Sequence, residues 1–174
     1  MCIRDRGRED EERRHEAVLA SVTKEELVYA LTTNVPFFNK LKSEIIRVNK
    51  KYGRPAVIDL SQTNLSSANL IGADLRMTNL QGTCLAGARL INADLSGAHL
   101  VVADFRNADL TGADLQRSNM TSADFSGAYL KGARLQLANC TGANFTRAVL
   151  SGANVSGANL AAANFCQALS LIHI

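Results

Sequence analysis

From Asp59 onward the chain repeats every five residues without an insertion. Helical faces recur about every 3.6 residues and strand faces about every two, so neither element explains this period. A chain that turns a corner in each repeat does explain it, and such repeats stack into a solenoid. The central position is apolar in every repeat, and from the second repeat on a small residue lies two positions before it. These centres are Leu60, Leu65, Leu70, Leu75, Leu80, Leu85, Leu90, Leu95, Leu100, Phe105, Leu110, Leu115, Met120, Phe125, Leu130, Leu135, Cys140, Phe145, Leu150, Val155, Leu160 and Phe165.

The phenylalanines of the array indicate how many repeats close one coil. Phe105, Phe125, Phe145 and Phe165 are its only phenylalanines, and each follows the last by four repeats. Four pentapeptides per coil would place these rings above one another at a rise of about 4.8 Å. The sequence therefore predicts a phenylalanine ladder in the core and an array of about five and a half coils, roughly 25 Å long.

The residues around each centre have the chemistry of tight corners. Glycine often lies two positions after the centre, as at Gly72 and Gly97, where a corner would crowd a side chain. Asn or Asp often precedes the centre, and its side chain can hydrogen-bond nearby backbone groups. The remaining positions are predicted to face solvent.

The repeat units ANLIG, ADLRM, ADLSG, ADLTG, ADFSG and ANFTR resemble the A-[DN]-L-x-x unit of the pentapeptide-repeat family, and the resemblance covers residues 59–167. The stretch VPFFN before IDLSQTNL is similar to the helical lead-in of many such arrays. The resemblance implies an all-β solenoid, a right-handed quadrilateral β-helix with a short N-terminal α-helical segment. It does not fix a function, because the repeat is a scaffold for many roles.

Four segments are predicted along the chain. Codons for residues 1–6 can be written so that their reverse complement encodes Leu169–Ile174, so residues 1–6 and 168–174 are predicted to be adaptor-derived artefacts. The natural termini are then expected to differ. Residues 7–57 form a charged and helical N-terminal segment, and residues 58–167 form the β-helix, with the boundary near Pro55.

Two helices are predicted in the N-terminal segment. Thr23 and Glu26 have the spacing of a capping box, and Asn34 followed by Val35 and Pro36 marks a second helix start. The apolar face of the second helix is expected to cover the first coil, through Phe37, Phe38, Leu41, Ile45 and Val48. The charged run from Gly7 to Glu16 has no apolar residue to bury, so it is assigned no role.

The opposite face of the second helix is predicted to be basic, and it carries Lys40, Lys42, Arg47, Lys50 and Lys51. Such a stripe could contact phosphates. Cations late in a helix also favour the negative end of its dipole, and a polar outer face is ordinary, so nucleic acid is a disfavoured partner.

Composition excludes several classes of protein. The chain is 47% hydrophobic, yet it has no run of about 18 apolar residues, so no membrane span is predicted. The array holds three scattered cysteines, Cys84, Cys140 and Cys166, which fit neither a disulfide framework nor a paired-thiolate metal site. We therefore expect a reducing compartment, the bacterial cytoplasm. Cys140 is a core position, whereas Cys84 and Cys166 face outward and could be oxidised.

Two surface features are candidate contacts with a partner. Asp74, Asp94 and Asp114 are predicted to stack on one face until Arg134 replaces them. Some members of the resembled family mimic DNA with such columns, but here the array as a whole is neutral. The second feature is the apolar pair Ile71 and Ile91, one coil apart; Val101 and Val102 beside His99 form a similar small patch.

Nothing in the sequence predicts catalysis. Outside the tail, the histidines are His15 and His99, and neither has an adjacent nucleophile or metal partner. We expect no catalytic residue, no cofactor and no metal site. The predicted function is a non-catalytic scaffold for protein–protein interaction whose partner is unknown; the alternative is a DNA-mimicking topoisomerase-binding protein. The array ends at Gln167 without a polar cap, which would allow end-to-end or homodimer association.

Overall fold

The computed structural model describes residues 13–53 and 56–169. The expectations for residues 1–6, the start of the charged run, Pro55 and residues 170–174 lie outside this part. Residues 13–20 are helical (α1), and two further helices follow, α2 (Lys24–Thr33) and α3 (Val35–Lys51). The repeat array begins after them and extends through the remaining described residues.

Both predicted helix starts are confirmed. The Thr23 hydroxyl accepts a hydrogen bond from the Glu26 backbone N–H at 3.2 Å, and the Glu26 carboxylate accepts one from the Thr23 N–H at 2.8 Å. Asn34 caps α3 by accepting from the Phe37 N–H at 3.0 Å, with Pro36 in the first turn. These caps satisfy backbone donors that have no partner inside a helix.

Parallel bridges join each coil of the array to the next. They begin with Asp59 and Asn79 and end with Val149 and Leu169, and every bridge spans twenty residues. One coil therefore takes four pentapeptides, as the phenylalanine spacing predicts. The array is a β-helix type of repeat fold in which consecutive coils hydrogen-bond to one another.

The core of the array consists of the repeat centres. From Leu60 to Leu150 they are at most 1% exposed, and the small residues two positions earlier are buried beside them in most coils. The last coil differs, because no described coil lies beyond it: Leu160 is 36% exposed and Phe165 is half-buried. A repeat centre is therefore fully buried where its coil is covered on both sides, by another coil or, for the first coil, by the helices.

Corners have the predicted chemistry. The Asp94 carboxylate accepts from the Ser96 N–H at 3.0 Å, and Asn144 accepts from the Thr146 N–H at 3.1 Å, so each side chain closes a turn on its own backbone. The residue two positions after the centre adopts positive φ, +65° at Gly97 and +53° at Met77. Glycine adopts this φ without strain, and a Cβ at Gly97 would displace the Met77 side chain.

Helix α3 packs differently from the prediction in two places. Phe37 is 54% exposed, whereas Lys42, expected on the basic outer face, is 2% exposed. Phe38, Lys42, Ile45 and Val48 form the buried stripe, and Phe37 lies roughly 100° around the helix from Phe38. Lys42 can be buried because its ammonium group donates hydrogen bonds to backbone carbonyls at the edge of the first coil.

The charged run also departs from its prediction. Glu16 is 3% exposed and binds two residues at the C-terminal end of α3. Its carboxylate accepts a hydrogen bond from Lys51 Nζ and another from the Tyr52 hydroxyl, each at 2.7 Å. These bonds lower the pKa of Glu16, Lys51 having the larger effect, and they tie α1 to the C-terminal end of α3. Among the described helices, none has the length and apolar character that a membrane crossing requires.

Candidate interaction surfaces

The acidic column predicted from the sequence is formed, but every carboxylate in it lies near a basic group. Asp74 binds Arg76 at 2.8 Å, and the same guanidinium lies 3.6 Å from Asp94. Asp114 lies 3.4 Å from Arg134 one coil further on. The three carboxylates are therefore compensated locally and do not form a stripe of free negative charge.

Asp74 is set apart from the other two by helix α3. Its side chain is 17% exposed, and Lys42 Nζ lies 3.0 Å from both its carboxylate and its backbone carbonyl. Lys42 Nζ also contacts the Arg76 carbonyl at 2.6 Å and the Thr78 hydroxyl at 3.3 Å. Asp74 thus anchors the helices to the coil, and Asp94 and Asp114 are the members of the column that a partner could reach.

The electrostatics of this anchor follow from burial and pairing. Burial alone would raise the pKa of Asp74, but hydrogen bonds from Arg76 and Lys42 outweigh it and lower the pKa to about 2. Burial lowers the pKa of Lys42, and its bond to Asp74 opposes that effect. The carboxylate is ionised at neutral pH, so Lys42 meets a full negative charge.

The apolar pair lies on a different face. Ile71 is 39% exposed and Ile91 is half-buried, and the backbone of this face is continuous because the Gly72 N–H donates to the Ile91 carbonyl at 3.0 Å. On the same face, further along, Tyr129 is exposed and Val149 is half-buried. This face carries more exposed apolar surface than a single isoleucine pair.

The four phenylalanines point into the core, where all but the half-buried Phe165 are fully enclosed. Their rings stack in order, with centroids 4.7, 5.0 and 4.9 Å apart and interplanar angles of 5°, 8° and 7°. Phe105, Phe125 and Phe145 are at most 1% exposed. The ladder contributes to packing between coils.

The cysteines and histidines of the described residues are scattered over the array and the helices. Cys140 is buried, and burial raises its pKa to about 11; Cys84 is half-buried and Cys166 is exposed. His15 lies 3.6 Å from Glu44 in the helical cap, and His99 lies on the array. Within residues 13–53 and 56–169, no cluster of His, Cys, Asp and Glu could hold a metal ion.

The structure also contains a groove that the sequence does not single out. It has a volume of about 670 Å³ and follows one corner of the array over three coils; we call it the corner groove. Its walls are formed by Arg76, Met77, Ser96, Gly97, Ala98, His99, Asp114, Gln116, Arg117 and Asn119. Met77, Gly97 and Arg117 are twenty residues apart, so the coil period was the only signal that could have brought them together.

Comparison with known proteins identifies the array. A family model described as pentapeptide repeats matches eight copies, at residues 58–87, 83–121, 98–136 and 123–167. No curated protein sequence matches the chain. The fold is similar to that of the pentapeptide repeat protein Rfr23 from the cyanobacterium Cyanothece 51142, at 24% identity and a TM-score of 0.53, over 70% of this chain and 94% of that one.

Two further solved structures are similar over part of the chain. HetL, a pentapeptide repeat protein involved in heterocyst differentiation regulation from Nostoc sp. strain PCC 7120, is 25% identical over 61% of this chain and 71% of its own, with a TM-score of 0.37. QnrB1, a plasmid-mediated fluoroquinolone resistance protein, is 24% identical over 64% of this chain and 63% of its own, with a TM-score of 0.36. Since the family model spans most of the sequence and the twenty-residue coil carries its repeats, this chain belongs to the pentapeptide-repeat family.

Proposed function

We propose that the protein is a non-catalytic scaffold that binds other proteins through the sides of a right-handed quadrilateral β-helix. The observation that carries this proposal is that the aspartates of the array already have structural partners. The aspartates near Arg76, Arg106 and Arg134 form ion pairs, and the others bind the backbone of their own turns. Acids committed to structure in this way are poor candidates for proton transfer.

The backbone makes the sides of the solenoid well suited to recognition. Bonds such as Leu95 N–H to the Asp114 carbonyl, at 2.7 Å, recur between coils and fix the outward side chains at regular spacing. A rigid surface loses little conformational entropy when it binds a partner. Repeat proteins commonly use such extended surfaces for binding.

Two sets of residues on the sides of the array are the proposed contacts. Ile71 and Ile91 supply apolar area on one face, and Asp94 with Asp114 supplies polar contacts on another. Asp74 is excluded from the second set, because its carboxylate holds Lys42.

The alternative of a DNA mimic bound to a topoisomerase has less support. A mimic needs regularly spaced free negative charges, whereas Arg76 and Arg134 lie within 4 Å of the column. Nucleic-acid binding by α3 also has less support, because Lys42 is buried and cannot contact a phosphate. Lys40, Arg47 and Lys50 remain exposed, a number of cations that is ordinary for a helix surface.

Affinity capture tests the proposal. The full chain is used as bait in a bacterial lysate beside three double variants: Ile71→Ser with Ile91→Ser, Asp94→Asn with Asp114→Asn, and Val101→Ser with Val102→Ser, which removes the other small apolar patch, on another face. Each captured protein is then purified and its Kd measured against all four baits. A partner lost with the isoleucine pair but kept with the valine pair supports the scaffold. If a DNA-handling enzyme is lost only with the aspartate pair, the DNA mimic replaces it; if no purified protein binds, the proposal fails.

A further inference from the structure

The corner groove has one uncompensated charge, and it is positive. Arg76 is held by Asp74 and lies near Asp94, while Asp114 has Arg134 and the Gln116 amide near it. The Arg117 guanidinium forms no hydrogen bond or ion pair with any of the described residues. A guanidinium without an internal partner favours an anionic ligand, above all a carboxylate that can accept two of its N–H groups.

Neutral donors surround the same place. The Asn119 side-chain oxygen accepts from the Thr121 N–H at 3.2 Å and from its hydroxyl at 2.7 Å, which leaves the Asn119 amide N–H groups as donors. Those donors have no partner among the described residues, and the His99 ring, likewise unpartnered, lines the groove as well. A carboxylate would meet one cation and further hydrogen-bond donors there.

An apolar wall completes the groove. Met77 is 61% exposed, and its side chain lies over Gly97, which forms the floor because it has no side chain of its own. Methionine adapts its shape to different apolar groups and is frequent at binding surfaces. The groove therefore has an apolar part beside a cationic part.

We propose that the corner groove binds an acidic side chain, aspartate or glutamate, that is flanked by an apolar residue on a partner protein. The acidic group pairs with Arg117 and receives hydrogen bonds from Asn119 and His99. The apolar neighbour packs on Met77. This inference rests on the proposed scaffold function and specifies one of its contact sites.

The test uses the full-length chain and two five-residue probes, acetyl-Ala-Leu-Glu-Leu-Ala-amide and the same peptide with glutamine in place of glutamate. Binding is followed by the backbone amide shifts of Gly97 and His99 in ¹⁵N-labelled protein. We expect the glutamate peptide to saturate these shifts with a Kd of about 1 mM, and the glutamine peptide to bind at least tenfold more weakly. Equal binding of both peptides would overturn the proposal.

Variants locate the site. Arg117→Gln should weaken the glutamate peptide at least tenfold, and Arg117→Lys should restore part of the affinity because it keeps the charge. The matched control is Arg89→Gln, an exposed arginine on another face that also has no partner among the described residues. It should bind like the parent. A loss of binding in Arg89→Gln equal to that in Arg117→Gln would show general charge attraction and overturn the site.

Titration with small anions distinguishes a groove that binds an acidic protein side chain from one that binds a free anion. Sodium acetate and inorganic phosphate should each shift the same amides only at concentrations at least tenfold above the peptide, since they lack the apolar part. Equal potency of either anion would assign the groove to a free small anion instead. If captured proteins bind Arg117→Gln as they bind the parent while the peptide does not bind at all, the groove assignment fails and the scaffold stands. Peptide binding without any protein partner would reject the scaffold.

Discussion

Lys42 Nζ lies 3.0 Å from the backbone carbonyl of Asp74, where a preceding coil would place a backbone N–H. In the second coil the Ser96 carbonyl accepts from the Met77 N–H at 3.0 Å; in the first, the equivalent Arg76 carbonyl accepts from Lys42 at 2.6 Å. Side chains of the helical segment thus replace the backbone of an absent coil.

Asn39 and Lys24 also supply hydrogen bonds that a preceding coil would make with its backbone. The Asp74 N–H donates to the Asn39 side-chain oxygen at 2.8 Å, whereas one coil later the Asp94 N–H donates to the Ala73 carbonyl at 2.9 Å. Lys24 Nζ donates to the Ser61 carbonyl at 2.9 Å on another side of the first coil. An open sheet edge invites pairing with another chain, and these three side chains occupy that edge.

Replacing Lys42 should therefore destabilise the protein through its hydrogen bonds. In Lys42→Met the half-buried Asp74 carboxylate loses a charged partner, and the carbonyls of Asp74 and Arg76 lose their donor. We expect the free energy of unfolding to fall by about 3 kcal/mol, measured by urea denaturation. Lys40→Met, on the exposed face of the same helix, should change it by less than about 0.5 kcal/mol. Equal effects of the two variants would contradict the anchoring role.

Acid should weaken the same anchor. The folded pKa of Asp74, about 2, lies below the ordinary value of 3.8, so its contribution to stability is fully present above about pH 4 and is lost as the pH falls through 2. The shift corresponds to about 2 kcal/mol. Urea midpoints between pH 5 and 2 should show this loss in the parent and a shallower one in Asp74→Asn. Asp109→Asn is the control and should retain the slope of the parent, since within residues 13–53 and 56–169 the Asp109 side chain bonds only to Thr111; an unchanged slope in Asp74→Asn would refute the assignment.

The array could be predicted from sequence because its rule is local and repeated. A five-residue period with an apolar centre admits few folds, and the spacing of Phe105 and Phe125 gives the coil length. The packing of the N-terminal helices on the first coil could not be predicted in the same detail. Lys42 looks like an outer cation in a helical pattern, and only the unpaired carbonyls of the first coil give it a reason to be buried.

Glu16 and the corner groove show the same limit. A carboxylate in a run of mixed charges gives no sign that Lys51 and Tyr52 will enclose it. Arg117 becomes a candidate contact only when the coils place it beside Gly97 and Asn119, and when its neighbours are seen to be paired elsewhere. Such sites depend on which charges remain unpaired, and that is a property of the folded molecule.

The phenylalanine ladder should be most sensitive to substitution inside the array. Phe125 is fully buried and stacks on both sides, on Phe105 and Phe145, whereas Phe165 stacks on one side and is half-buried. Phe125→Ala should cost about 3 to 5 kcal/mol in chemical denaturation, since the cavity lies between two coils. Phe165→Ala should cost less than half as much. Equal costs would mean that packing between coils is not what stabilises the ladder.

Thiol reactivity provides a test of the core that leaves the sequence unchanged. Burial raises the pKa of Cys140 to about 11, so at pH 8 only about one thiol in a thousand would be ionised even if reagent could reach it. Iodoacetamide followed by peptide mass spectrometry should modify the exposed Cys166 within minutes and leave Cys140 intact in the folded protein. In urea both should react at similar rates, because the unfolded chain removes the burial that protects Cys140. Modification of Cys140 at the rate of Cys166 without urea would mean that the coil around residue 140 opens readily, contrary to a core in which that residue is fully buried.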